Sequence, residues 1–400
     1  MVIASSSYTD TRYRASVGTG YDGVARLSVG GNYGTGALLF DGRAVLTAAH
    51  LVAGAVGAVN VSFDTPAGTQ TWVGTKTLVN PNYVALGSNA DLAIVWLASA
   101  PSVAANRYDL YRNSDEIGQT FTMVGYGQLG AGSTGATTLN TSNLRLKAQN
   151  TFDADAATLK SAMGSLMTWS PQPGTQLVAD FDSGTRANDA LGRLADLNNL
   201  GLGLDEGLIA HGDSGGPAFV QGKLAGVAGY ITSLSYGAIN PDVDPITNSS
   251  FGEIAAWQRV SAFQQWIDQS LRANYPNAPT KPSEVKKEVP EGNSGTSLAY
   301  FLVQFTGART DANQVLSVDY ATRDGSATAG SDYLAVSGHL NLYPGETQAV
   351  IPVEIVGDTV REGNETFYLD VFNPIGASFG KDVVKLTAVR TILDDDIAIV

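Results

Sequence analysis

Short runs of β-branched and apolar residues, separated by glycine-rich turns, occupy the chain from about residue 21 to residue 260, and this pattern is typical of an all-β protein. Examples are residues 44–47 (Ala-Val-Leu-Thr), 92–97 (Leu-Ala-Ile-Val-Trp-Leu) and 224–230 (Leu-Ala-Gly-Val-Ala-Gly-Tyr). The 45 glycines suit the many turns that short strands require. With 400 residues, of which 44% are hydrophobic and 16% charged, the chain has the length and composition of two or three globular domains.

The pattern changes after residue 260, where apolar residues recur at helical spacing and predict an amphipathic helix. The residues on its apolar face are Phe263, Trp266, Ile267 and Leu271. Residues 274–282 then contain three prolines, which cannot extend a helix, and we predict that they form a linker.

Alternation of apolar and polar residues returns beyond the linker, for example in residues 299–305 and 349–355. This period of two is typical of strands that are buried on one face, and the remaining length suits a β-sandwich. We therefore predict a first domain over residues 1–273 and a second domain over residues 283–400.

Composition excludes some classes of function. A net charge of −14 argues against a nucleic-acid partner, because phosphate binding requires a basic face. No run of 18 apolar residues is present, so we expect no membrane span. The chain has no cysteine, so its cores must be held by packing without disulfides.

Three short motifs supply a histidine, an aspartate and a serine in that order. They are residues 46–50 (Leu-Thr-Ala-Ala-His), 91–97 (Asp-Leu-Ala-Ile-Val-Trp-Leu) and 212–217 (Gly-Asp-Ser-Gly-Gly-Pro). A serine hydroxyl is a weak nucleophile at neutral pH and needs a base within hydrogen-bond reach, and the base needs an acid that fixes its tautomer. We predict these roles for Ser214, His50 and Asp91 respectively.

The glycines around Ser214 point to a second feature of the same site. They allow the backbone to fold so that the N–H groups of Gly212 and Ser214 converge on one oxygen, which would form an oxyanion hole. Asp213 is expected to turn towards the interior.

Together the three motifs resemble the trypsin/chymotrypsin family of serine proteases, and the lack of cysteine resembles its secreted bacterial members. The resemblance implies a double β-barrel of the trypsin type that ends in a helix. It also implies a serine endopeptidase that acts on proteins and peptides without a catalytic cofactor. A secreted bacterial protein is expected, with a monomer as the expected oligomeric state, although residues 1–10 lack the basic and apolar regions of a signal peptide.

The chain departs from this family's pattern in two places. No Ile-Val-Gly-Gly follows an arginine, so either cleavage after Arg14 or Ala15 frees an amine for Asp213, or the enzyme is active without processing. The interval between Asp91 and Ser214 is also longer than compact members need. We expect the excess, near residues 140–205, to form an extended surface loop around the cleft.

Specificity is indicated by the residue six positions before the serine, which forms the base of the primary pocket in this family. Leu208 stands there and favours an apolar substrate residue, although Asp205 or Glu206 could supply an acid if the loop is shifted. The expected substrate-binding strand comprises Gly229, Tyr230 and Ile231. Ile231 replaces a glycine of the family pattern and would narrow the pocket, which favours small apolar groups.

The second domain resembles the Calx-beta domain, an immunoglobulin-like β-sandwich, in residues 289–292, 319–327, 331–333, 357–367 and 391–396. The resemblance implies a structural Ca²⁺ site, and hard oxygen ligands from loops at one end of a sandwich suit this ion. The candidate ligands are Glu291, Asp324, Asp358, Glu362, Asp394, Asp395 and Asp396. A solvated acidic surface without an ion is the alternative.

The sequence thus predicts a serine endopeptidase with an appended calcium-binding sandwich. The alternative from another class is a catalytically inactive protease fold that serves as an adhesion or binding protein. A narrower alternative is an esterase that uses the same triad. The natural substrate and the mode of activation stay open.

Overall fold

The computed structural model describes residues 2–85 and 87–396, which form two compact units. The first unit takes in most of the chain up to Trp266. The second takes in the chain from Ile267 onward together with Phe40–Gly42 and Ser99–Val103. The predicted limits 1–273 and 283–400 include residues 1 and 397–400, which lie outside the described residues.

After the short strand β1 (Ile3–Ala4), six strands close into a barrel in the order β2-β3-β4-β7-β6-β5. Buried side chains such as Leu27, Val45, Phe63 and Val95 fill its interior. The barrel strands are β2 (Val24–Val29), β3 (Asn32–Leu38), β4 (Ala44–Thr47), β5 (Asn60–Thr65), β6 (Gly68–Val79) and β7 (Ala93–Leu97). The short helix α1 (Ala49–Val52) follows β4.

Ten further strands build the second half of the first unit. They are β8 (Thr120–Gly125), β9 (Leu129–Ala131), β10 (Gly135–Thr138), β11 (Leu146–Thr151), β12 (Ala154–Asp155), β13 (Gln176–Asp180), β14 (Gly207–Leu208), β15 (Pro217–Val220), β16 (Lys223–Thr232) and β17 (Ile254–Arg259). A seven-stranded sheet has the order β11-β8-β15-β16-β17-β13-β12, and a four-stranded sheet has the order β10-β9-β1-β14. Phe121, Phe152 and Trp257 pack against one another in the core.

Helices occupy a small part of the first unit. The α-helices after α1 are α2 (Ala156–Met163), α3 (Ala190–Ala195) and α4 (Val260–Arg272). Short 3-10 helices cover Thr11–Tyr13, Gly164–Leu166, Gly203–Asp205 and Pro282–Glu284. The helix α4 confirms the helix predicted from apolar spacing, and the chain passes from the first unit to the second inside it.

The expectation of an extended surface loop over residues 140–205 is wrong. This stretch contributes β11, β12, β13, α2 and α3, and several of its polar side chains are fully enclosed. Asn150, for example, is 2% exposed and donates to the carbonyls of Asp180 and Gly207. The segment is therefore part of the folded core of the first unit.

The second unit is a β-sandwich, as predicted, and its described residues form seven strands. They are β18 (Glu288–Pro290), β19 (Thr296–Gln304), β20 (Leu316–Asp324), β21 (Ser337–Leu342), β22 (Gln348–Val356), β23 (Glu365–Ile375) and β24 (Lys385–Leu393). One sheet has the order β18-β24-β23-β20-β21, and the other pairs β19 with β22. Phe301, Tyr333 and Phe367 pack in the core between them.

The structure confirms the predicted all-β class, with barrel-like sheets, a helix and a sandwich in that order along the chain. Among the helices of the described residues, none is long and apolar enough to span a bilayer.

Candidate active site

Pairing between the end of β4 and the start of β7 brings His50 and Asp91 together. Thr47 lies opposite Ala93 in the antiparallel register, so the residues after β4 and those before β7 meet at one end of the barrel. His50 Nδ1 lies 2.7 Å from Asp91 Oδ2, and the His50 backbone N–H donates to Asp91 Oδ1 at 2.8 Å.

Burial assigns different roles to these two side chains. The Asp91 side chain is 0% exposed, whereas that of His50 is 33% exposed. An ionised carboxylate only accepts hydrogen bonds, so the proton of a neutral His50 ring lies on Nδ1 and the lone pair on Nε2. This is the tautomer that a general base requires.

Ser214 lies in the turn before β15, and a glycine holds this turn against the end of β4. Gly215 has a φ of +80°, and a Cβ there would overlap Thr47 Oγ1 and the carbonyl of Thr35, so the approach requires glycine. The Thr35 N–H donates to the Ser214 carbonyl at 2.9 Å. These contacts place Ser214 at the barrel end that carries His50.

Within the described part of the chain, no hydrogen bond joins Ser214 Oγ to His50. Catalytic hydrogen bonds of this kind are often long before substrate binds and tighten only in the complex. The structure thus brings His50 and Asp91 into contact and brings the Ser214 turn onto the same barrel end.

The turn presents two backbone N–H groups, those of Gly212 and Ser214, that donate to no other group among the described residues. Gly212 has a φ of +94°, and its carbonyl accepts from Thr35 Oγ1 at 2.9 Å, which fixes the peptide plane. Unpaired amides on a fixed turn can stabilise a negatively charged oxygen.

Asp213 points into the core, as expected, and is 1% exposed. Its carboxylate accepts from the N–H groups of Gly127 and Ala210, each at 2.9 Å. Burial raises the pKa of the Asp213 carboxyl above its ordinary value. These bonds tie the Ser214 turn to the core of the second barrel-like half.

The chain before residue 16 is also held in place. Ile3 is buried and pairs with Leu208 of β14. Ala15 is buried as well, and its N–H donates to the Arg145 carbonyl at 3.1 Å. The proposed cleavage point beside Arg14 therefore lies in a structured segment, where Arg14 forms a bridge with Leu146.

The strand β16 offers an unpaired edge beyond Ala228. One edge pairs with β17, where Tyr230 lies opposite Ala256, but the pairing of the other edge with β15 ends at Val227. No described strand occupies the edge at Gly229 and the residues after it. An extended peptide can add to such an edge as a further strand.

Among the candidate specificity residues, Leu208 and Ile231 are apolar, and Tyr230 is held by hydrogen bonds. Leu208 is 0% exposed and belongs to the core against which Ile231 packs. The Tyr230 hydroxyl accepts from Trp169 Nε1 at 2.9 Å and donates to Gln176 Oε1 at 3.1 Å, so its ring is held in one position.

The alternative that Asp205 or Glu206 places an acid in the pocket is wrong in this structure. The Glu206 carboxylate is buried and accepts from the N–H groups of Asp182 and Leu202. Asp205 is exposed and lies 3.3 Å from Arg12 on the surface. Neither side chain is free to form a pocket base.

Carboxylates collect at one end of the sandwich, where β18, β20, β22 and β24 end and β23 begins. Single oxygens of Glu291, Asp394 and Asp396 lie within 4.8 Å of one another. A second group of the same kind joins Glu362 to two residues that the sequence reasoning missed, Asp332 and Glu365.

The other predicted ligands lie nearby but outside these two groups. Asp324 accepts from Tyr333 Oη and the Ala329 N–H, and Asp395 accepts from the Gly292 N–H at 2.9 Å. Asp358 accepts from the N–H of Val360 at 2.6 Å. These hydrogen bonds shape the loops around the carboxylate groups.

Electrostatics at this end of the sandwich favour a cation. Burial and the neighbouring carboxylates raise the pKa of Glu291 to about 6 and that of Glu365 to about 7. Asp396 Oδ2 is buried and has no hydrogen-bond partner among the described residues. A hard cation would satisfy this oxygen and relieve the repulsion.

Two family models match this chain. Residues 14–171 match the model described as Trypsin, a segment that includes His50 and Asp91 but not Ser214. Residues 293–396 match the model described as Calx-beta domain.

Curated relatives match about a quarter of this chain. The sodium/calcium exchanger Calx of Drosophila melanogaster is 39% identical over 88 residues, which cover 22% of this chain and 9% of the exchanger. The human sodium/calcium exchanger 2 is 38% identical over 108 residues, which cover 24% of this chain and 12% of the exchanger. The matched segment thus spans about a tenth of these relatives.

Among solved structures, one of neuropsin, described as a serine protease expressed in the limbic system of mouse brain, is similar over 65% of this chain and 98% of that chain. The sequences are 16% identical and the TM-score is 0.47.

Proposed function

We propose that this chain, which joins a trypsin-family domain to a Calx-beta domain, is a serine endopeptidase that acts through His50, Asp91 and Ser214. The observation that carries this proposal is the contact of 2.7 Å between His50 Nδ1 and the fully buried Asp91 carboxylate. A buried carboxylate on Nδ1 beside an exposed Nε2 is the arrangement that converts a nearby serine into a nucleophile.

In the proposed reaction, His50 Nε2 takes the proton of Ser214 Oγ as that oxygen attacks the peptide carbonyl. Asp91 stabilises the imidazolium that forms and keeps the ring in its orientation. The N–H groups of Gly212 and Ser214 stabilise the oxyanion of the tetrahedral intermediate. His50 then gives its proton to the leaving amine, and water hydrolyses the acyl-enzyme by the same steps.

An inactive binding protein is the rival from another class. The free amides of Gly212 and Ser214 and the partly exposed His50 ring support catalysis, because a binding surface has no need for them together. An esterase that uses the same triad would hydrolyse esters efficiently and matched peptides very slowly. A comparison of matched ester and peptide substrates separates these two activities.

The pocket residues predict a preference for small apolar groups on the acyl side of the scissile bond. Peptides with alanine or valine there should be cleaved with a kcat/KM at least tenfold above those with phenylalanine, lysine or arginine. Replacing Ile231 with glycine should shift this preference about tenfold towards phenylalanine, because the change removes a side chain that narrows the pocket.

A panel of fluorogenic peptides that differ in this one residue measures the preference. Ile117→Gly is the matched control, because Ile117 is 47% exposed and lies outside the site. Wild-type cleavage after lysine or arginine, or an unchanged profile in Ile231→Gly, contradicts this assignment of the pocket.

We further propose that the sandwich binds Ca²⁺ through Glu291, Asp394 and Asp396, with Asp332, Glu362 and Glu365 as the second carboxylate group. The relatives that match this segment are described as sodium/calcium exchangers, which supports calcium as the ion. The ion would hold together loops that otherwise bring several like charges into contact, and its role would be structural.

The double variant Asp394→Asn/Asp396→Asn should reduce calcium stoichiometry in native mass spectrometry and lower the sandwich melting temperature in Ca²⁺ by about 10 °C. This shift follows from a ligand at about 100 times its Kd acting on a domain of roughly 100 residues. Asp311→Asn/Asp382→Asn is the matched control, since both aspartates lie in loops at the opposite end of the sandwich. Equal melting of the two variants in calorimetry argues for a solvated acidic surface.

A further inference from the structure

Three buried aspartates of the first unit meet beyond the end of β13, and none of them has been assigned a role above. Asp180 is the last residue of β13, Asp182 follows it, and Asp189 caps the N-terminus of α3. One carboxylate oxygen of each lies within 4.8 Å of the others. Their exposures are 1%, 2% and 1%, so water does not screen these charges.

Two more carboxylates adjoin this aspartate cluster. Asp153 lies beside Asp180, and its charge contributes to raising the pKa of that aspartate, although burial is the largest cause. Glu206 binds the Asp182 N–H at 2.7 Å.

Positive charge reaches this cluster only at longer range among the described residues, since Arg186 and Arg193 act to lower the pKa of Asp189 while burial, the larger cause, raises it. Among the residues that the structure describes, no lysine, arginine or histidine forms an ion pair with any member of the cluster or with its two neighbours. Arg193, which follows nearby in α3, donates instead to the carbonyls of Ala187 and Asn240. A buried group of like charges that forms no ion pair is destabilising, and a bound cation would offset the repulsion.

Unpartnered oxygens give a second and independent indication. Asp180 Oδ1 and Asp182 Oδ1 are buried and accept no hydrogen bond from any described residue, and Asp153 Oδ2 is in the same state. The opposite oxygen of Asp180 is fixed, because it accepts from the Leu191 N–H at 2.7 Å. The Asp189 Oδ1 atom accepts from the Gly192 N–H at 2.7 Å. The carboxylates are therefore oriented, while specific oxygens are left for a ligand.

We propose that Asp180, Asp182 and Asp189, with Asp153 beside them, bind a calcium ion in the first unit. Calcium bonds to oxygen at about 2.3–2.6 Å, so two ligands on opposite sides of the ion lie about 4.6–5.2 Å apart. One oxygen of each aspartate lies within 4.8 Å of the others, so all three can contact one such ion. Magnesium needs shorter bonds and retains several waters, which suits this enclosed, carboxylate-rich site less well.

The ion would tie β13 to the start of α3. Through the contact of Glu206 with the Asp182 backbone, it would also steady the residue that precedes β14. Leu208 of β14 leads directly towards the turn that carries Ser214. The site therefore acts as a structural clamp within the first unit, distinct from the carboxylates of the sandwich.

The five tryptophans allow a test that separates the two calcium sites in the full chain. They are Trp72, Trp96, Trp169, Trp257 and Trp266, and all of them belong to the first unit. Thermal unfolding followed by tryptophan fluorescence thus reports on the first unit, and native mass spectrometry counts the bound ions.

In wild-type protein, adding Ca²⁺ after removal of metal with EDTA should raise the tryptophan-detected melting temperature by about 5–10 °C, and Mg²⁺ should raise it less. This size follows for a domain of roughly 250 residues at about 100 times the Kd. In Asp180→Asn/Asp182→Asn the calcium response should disappear and one bound ion should be lost. Asp394→Asn/Asp396→Asn is the control that keeps the response.

Two results overturn the proposal, and neither depends on enzymatic activity. One is a wild-type tryptophan transition that is the same in Ca²⁺ and EDTA, which would mean that shared protons neutralise these carboxyl groups instead. The other is a response that persists in Asp180→Asn/Asp182→Asn but vanishes in the sandwich variant. The comparison of wild-type melting in Ca²⁺ and in EDTA tests the proposal even if the cluster variant fails to fold.

Discussion

Replacing Ser214 with alanine should lower the turnover of a good peptide substrate by about 10⁴- to 10⁶-fold. The change removes the attacking oxygen, whereas the barrel, the buried Asp91 and the free amides of the turn stay in place. Any rate that is left comes from substrate binding and oxyanion stabilisation alone. Steady-state kinetics on the peptide that wild-type protein cleaves best provide the measurement.

Ser165→Ala is the matched control, because Ser165 is an exposed serine of the same unit and lies in the 3-10 helix Gly164–Leu166. It should retain wild-type turnover. If Ser214→Ala kept a rate within tenfold of wild type, Ser214 would not be the nucleophile. The proposed mechanism would then be wrong.

The second large effect is expected from Asp91→Asn, which should reduce kcat by about 10⁴-fold near neutral pH. The asparagine has nearly the same shape, but it can present an N–H to His50 Nδ1. The ring would then carry its proton on Nε2 and could not accept one from Ser214. The expected loss is therefore chemical, and the melting temperature should change far less than kcat.

Asp205→Asn controls for loss of an acidic charge, since Asp205 is exposed and pairs with Arg12 on the surface. Its kcat should match that of wild-type protein. If Asp91→Asn retained more than a tenth of wild-type kcat, then the contact of 2.7 Å with His50 would have a structural role only.

The sequence points to His50, Asp91 and Ser214 as a candidate triad because each lies in a local motif whose strand or turn is recognisable from the neighbouring residues. The end of β4, the start of β7 and the Gly-Asp-Ser-Gly-Gly-Pro turn all appear as short patterns. The sandwich was predictable for the same reason, as was the gathering of Glu291, Asp394 and Asp396 at one end.

The sequence could not predict which polar side chains are buried by segments that are distant along the chain. Asp180, Asp182 and Asp189 look like solvent-exposed loop residues in the sequence, yet packing encloses all three. Glu206 was a candidate pocket acid by position, but its carboxylate accepts hydrogen bonds from the backbone N–H groups of the nearby Leu202 and the distant Asp182. Asp332 and Glu365 were missed because they join Glu362 only through the fold of the sandwich.

Labelling the purified full chain with a fluorophosphonate, followed by mass mapping, tests the proposed nucleophile most directly. The reagent reacts with a serine that has a working base and oxyanion hole, so a single label on Ser214 is the predicted result, with none in Ser214→Ala. A folded wild-type protein that takes no label at Ser214, before or after a brief trypsin treatment, would contradict the proposal of a serine endopeptidase.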